Sequence, residues 1–141
     1  MNRTRIKTLA GIGLASLVLS HSVLAVPLLR CELTYAGDTQ SIDAKLVTDP
    51  YLVPSVDIGG RFRFKAVLVG SVARLDRVVL YAYFNADADA GTQPILIQQV
   101  KYLPPFKASA TPYPLTGEQR LYAGTAEREL IYSCTLEGVQ P

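Results

Sequence analysis

The 141 residues carry 14 Lys+Arg against 12 Asp+Glu, one histidine, two cysteines and no tryptophan. That length supports a single domain, and the near-balance of charge excludes a general field for nucleic acid or anionic lipid. The one histidine, His21, and the one methionine, Met1, both fall in the first 25 residues.

Those 25 residues read as a targeting segment. Arg3, Arg5 and Lys7 make a positive start, no acid follows before Glu32, and Leu9 to Leu19 is apolar or small. The run is the length of a signal-peptide core and short for a bilayer span. Val23-Leu24-Ala25 offers small residues where a signal peptidase reads, so cleavage is expected after Ala25, against the alternative of an uncleaved anchor. Cys31 follows Leu28-Leu29-Arg30, which does not resemble a small-residue lipidation site. The expected mature domain is residues 26–141, periplasmic or secreted, with no membrane span of its own. It keeps 11 basic residues against 12 acidic ones, a net charge of −1.

Losing His21 with the leader removes Ser-His-Asp and Cys-His catalysis and histidine-ligated metals from the mature chain. Two cysteines behind a signal peptide favour one structural disulfide, Cys31–Cys134, over free thiols or an intermolecular bridge. Their spacing is unlike a redox CxxC pair. Closing a loop of about 100 residues contributes ~4–5 kcal/mol in the chain-entropy picture.

In chain order the period is two. Cys31, Leu33 and Tyr35 alternate with Glu32, Thr34 and Ala36, then Ala36-Gly37-Asp38 signals a turn. Ile42, Ala44 and Leu46 form a second strand. Asp49-Pro50-Tyr51-Leu52-Val53-Pro54 reads as a crossing loop or an edge, because two prolines remove ladder donors. After Gly59-Gly60, Phe62, Phe64, Ala66 and Leu68 face inward while Arg61, Arg63 and Lys65 face out. Arg77 to Phe84 is apolar on both faces, as in a central strand. A polar turn over 85–91 leads to a strand from Ile95 to Val100, a hairpin. The proline-rich stretch Leu103 to Gly117 is irregular. Arg120 to Ala123 and Glu127 to Glu137 finish the chain, with Leu130, Tyr132, Cys134 and Leu136 on one face.

About seven short strands and no helix after the leader predict an all-β fold. The expectation is a single antiparallel β-sandwich of immunoglobulin-like architecture, with a small β-barrel as the alternative. Tyr132-Ser133-Cys134 resembles the tyrosine-x-cysteine near the end of immunoglobulin domains. The chain departs from that pattern in its cysteine separation and in having no tryptophan to pack on the bridge, so the resemblance implies architecture only.

Three constellations carry possible chemistry. Asn85, Asp87 and Asp89 with Gly91 are spaced as oxygen ligands for Ca²⁺, but Leu96 stands where an EF-hand places its bidentate Glu; a solvated turn uses the same residues. Tyr102, Pro104, Pro105, Phe106 and Tyr113 form either an exposed aromatic platform for a partner or a sugar, or a flap that covers the end of the core. Glu127, Glu129 and Glu118 read as solvated edge charges rather than a hydrolytic pair, and Arg61, Arg63 and Lys65 as a solvent face. The sequence therefore points to a non-enzymatic module with no cofactor. Its partner is expected to be another envelope or secreted protein; the alternative is a small-molecule or carbohydrate-binding module.

Overall fold

The computed structural model describes residues 24–87 and 91–141. Most of the segment expected from the sequence to be a signal peptide, and Asp89 of the acidic turn, lie outside the described residues.

Among the described residues nine strands form one sheet: β1 Leu28–Tyr35, β2 Asp38–Val47, β3 Val56–Ile58, β4 Phe62–Gly70, β5 Leu75–Phe84, β6 Ile95–Tyr102, β7 Tyr113–Pro114, β8 Gln119–Ala123 and β9 Arg128–Glu137. Hydrogen bonding runs β6-β5-β4-β2-β1-β9-β7, with β3 also on β4 and β8 also on β9. The fold is all-β as expected, and the sheet curls into a nearly closed, barrel-like form that fits the anticipated choice of sandwich or small barrel. One pairing departs from an antiparallel sheet. β2 meets β4 in parallel at Leu46↔Leu68 and Val47↔Val69.

The alternation explains why these segments become strands. In β1, Leu29, Cys31 and Leu33 are fully buried while Arg30 and Glu32 face solvent. Ala36 and Gly37 then make the two-residue turn into β2, and both have positive φ, 51° and 88°. Right-handed strand twist selects this type of hairpin turn, in which glycine fits without strain and alanine does not. β4 and β9 bury Phe62, Phe64 and Leu68 against Leu130, Tyr132 and Leu136. The Tyr132 ring lies 5.0 Å from Phe64, and its hydroxyl donates to Gln98 Oε1 on β6 at 2.6 Å. That bond ties the two flanks of the barrel across its core.

Cys31 and Cys134 are joined, with Sγ–Sγ 2.06 Å, and both are buried. They sit directly opposite each other on neighbouring strands of one sheet. The bridge therefore fastens the first long strand to the last, as expected, but not in the inter-sheet manner of immunoglobulin domains.

β3 and β7 were not visible as strands in the sequence. They are three and two residues long, and β7 includes Pro114. The last strand begins at Arg128, because Glu127 occupies the preceding turn with φ 47°.

Outside β4 and β5 lies a second, smaller apolar cluster of Val67, Val69 and Val79. Val47, Val53 and Tyr81 pack on it, so the segment joining β2 to β3 is drawn over the outer face of β4.

Candidate functional site

The joining segment is fixed at three points. Asp49 caps a single 3₁₀ turn, Pro50–Leu52, accepting from the Tyr51 amide at 2.9 Å. Val53 anchors in the outer apolar cluster. Ser55 is gripped by Arg63, whose Nε donates to its Oγ at 2.8 Å and whose Nη2 donates to its carbonyl at 2.9 Å. Between these anchors Tyr51 and Leu52 project into solvent, 90% and 80% exposed. Burial of such side chains is ordinarily worth about 1.5–3 kcal/mol each, so their display on a clamped turn is unusual.

Other apolar side chains share that end. β2, β4 and β6 run in one direction, so the segments that follow them leave the barrel together. Val72 follows β4 and is 36% exposed; Leu103 follows β6 and is 62% exposed. An open groove of about 590 Å³ runs between the 3₁₀ turn and the β4–β5 turn, lined by Leu46, Val47, Leu52, Gly70 and Val72 among others.

The proline-aromatic segment contributes less than an exposed platform would. Tyr102, Phe106 and Tyr113 are half-buried and pack against the main core. Burial raises the hydroxyl pKa of Tyr102 and of Tyr113. Leu103 and the four prolines of the segment, Pro104, Pro105, Pro112 and Pro114, stand exposed instead. The rings thus cover the end of the core, the second of the two arrangements the sequence allowed.

Among the described residues the acidic groups do not assemble into a centre either. The Asn85 side-chain oxygen is buried without a hydrogen-bond partner, whereas Asp87 is exposed and its carbonyl receives the Thr92 hydroxyl at 3.3 Å. Among the described residues no cluster of three or more His, Cys, Asp or Glu could hold a metal. Glu118 and Glu129 both pair with Arg120, at 2.7 and 2.9 Å. Glu129 also accepts from the Tyr122 hydroxyl at 2.7 Å, and these bonds, Tyr122 first, lower its pKa. It is a stabilised carboxylate, the opposite of what a general acid requires.

The outer faces of the barrel differ in charge. On the β1-β2-β8-β9 side Arg30 meets Asp43 at 2.7 Å and Arg120 meets its two glutamates, while Arg128 donates to the Tyr35 hydroxyl at 3.0 Å and Lys45 has no carboxylate within 4.0 Å among the described residues. On the outer face of β4, β5 and β6 the pairing register sets out rows instead. Arg63 lies opposite Tyr83, which lies opposite Leu96; Lys65 lies opposite Tyr81, which lies opposite Gln99; Lys101 lies opposite Val79. Tyr81 and Tyr83 are near-parallel, with ring centroids 6.3 Å apart, and Lys65 Nζ sits 5.5 Å from the Tyr81 centroid. Among the described residues no carboxylate comes within 4.0 Å of Arg63, Lys65 or Lys101.

Comparison with protein-family models, with curated proteins and with solved structures finds no match to this chain.

Proposed function

We propose that the chain is a non-enzymatic interaction module of the cell envelope, exported to the periplasm or beyond, that engages another exported protein through the apolar end of its barrel. The observation that carries this reading is the exposure of Tyr51 and Leu52 on a turn held at Asp49, Val53 and Ser55. A turn clamped on both sides of an apolar pair has little loop entropy left to lose on binding, a condition that favours a strong contact over a small area. Leu103 and Val72 extend the patch across neighbouring segments. The leader of the sequence and the buried disulfide support an oxidising destination.

The test is affinity purification of the full chain from its own envelope extract, beside a Tyr51→Ser, Leu52→Ser double variant. The expected result is one stoichiometric protein with the wild type and its loss with the variant, while the two chains melt alike. Equal recovery by both would place the contact elsewhere.

A further inference from the structure

Beyond that apolar end, we infer that the outer face of β4-β5-β6 holds a binding cleft for a carboxylate-bearing sugar unit of an acidic polysaccharide. Ser55, Arg63, Tyr83, Gln93 and Pro94 line an open cleft of about 400 Å³. That size falls within the range of small-ligand sites, about 300–1,000 Å³.

The lining supplies each contact such a unit requires. Arg63 is held in place by its two bonds to Ser55. A guanidinium has about five N–H donors, so some three remain for a ligand, in the forked arrangement that suits a carboxylate. Ser55 Oγ accepts from Arg63, which leaves its own O–H free to donate to a sugar oxygen. The Gln93 amide both donates and accepts. The Tyr83 and Pro94 rings offer a flat apolar wall for the C–H face of a pyranose.

Charge decides the class of occupant. Lys65 and Lys101 continue the positive face beyond the cleft, and no carboxylate within 4.0 Å neutralises them among the described residues. An anionic chain lying across the rows would meet Arg63 first and the lysines in turn, with Tyr81 and Tyr83 between them. An uncharged glycan would leave this face unmatched.

Titration calorimetry of the leader-free chain with trigalacturonate, maltotriose and polyglutamate tests the assignment. Trigalacturonate is expected to bind, to weaken several-fold between ~20 and ~150 mM salt as screening grows, and to outbind the other two at least tenfold. Arg63→Gln is expected to lower affinity at least tenfold. Because Arg63 also tethers Ser55, Gln93→Ala gives a second reading that leaves the tether intact, with a several-fold loss expected. Arg120→Gln, on the opposite face, is expected to change nothing. Equal binding of maltotriose, equal binding of polyglutamate, no binding of trigalacturonate, or full affinity in both cleft variants would each overturn the inference. The apolar-end contact shares the Arg63–Ser55 tether, so the two are told apart by Gln93→Ala, which touches the cleft alone, and by the Tyr51→Ser, Leu52→Ser variant, which touches the apolar end alone.

Discussion

Replacing Tyr132 by phenylalanine isolates one hydroxyl whose environment is fully described. The side chain is 1% exposed, its ring packs on Phe64, and its hydroxyl donates to Gln98 Oε1 at 2.6 Å. Removing the hydroxyl deletes one hydrogen bond and leaves the half-buried Gln98 oxygen short of a donor, a loss of about 1–2 kcal/mol. For a domain of this size that lowers the melting temperature by ~5 °C at neutral pH. The alkaline limb gives a sharper signature. Burial, and secondarily the neighbouring Tyr102, push the Tyr132 pKa up from 10.0 to about 12. The folded state therefore holds a proton that the unfolded state releases above pH 10, and wild-type stability falls as pH rises from there towards 12. At about 1.4 kcal/mol per pH unit the loss approaches ~2–3 kcal/mol by pH 12. The phenylalanine variant has no such proton, so its deficit shrinks above pH 10 and vanishes near pH 11. Urea unfolding of both oxidised proteins at intervals from pH 7 to 11.5, followed by near-ultraviolet circular dichroism, measures this. A stability difference that stays constant across that range would refute the buried-hydroxyl reasoning.

Phe106→Ala should cost about 2 kcal/mol, roughly half the value for a fully buried ring, because the side chain is only partly enclosed against the core; an unchanged melting curve would return Phe106 to the list of exposed binding residues. Ala36→Asn should stabilise the hairpin by ~0.5–1 kcal/mol, since alanine holds φ 51° there and asparagine tolerates that conformation. A lower denaturation midpoint for that variant would contradict the turn assignment. Converting both cysteines to alanine removes a bridge of sequence separation 103, for which the chain-entropy picture gives about 4–5 kcal/mol. A loss below ~1 kcal/mol in urea titration would mean that the terminal strands hold each other without it.

The strands were legible because their inward residues recur at period two. Phe62, Phe64, Ala66 and Leu68 are all buried, and so are Leu130, Tyr132, Cys134 and Leu136. β3 and β7 were not, since two or three residues beside prolines leave too little alternation to read. The candidate site was less accessible for a different reason. Tyr51 and Leu52 are apolar letters between two prolines, and nothing local distinguishes a displayed pair from a buried one. Only the anchoring of Val53 and Ser55 on β4 decides it. Likewise Arg63 and Lys65 stood out as a basic stripe, but register was needed to place Tyr83 and Tyr81 beside them. Tyr102, Phe106 and Tyr113 carried the right chemistry for a binding platform, yet their direction is set by the core they cover.

The interaction role is tested most directly by placing a photoactivatable amino acid at Leu52 in the native cell envelope, with Thr135 on the opposite outer face as the control position. A contact through the apolar end predicts one discrete crosslinked protein from Leu52 and none from Thr135. Crosslinking of equal yield at both positions, or at neither, would contradict it.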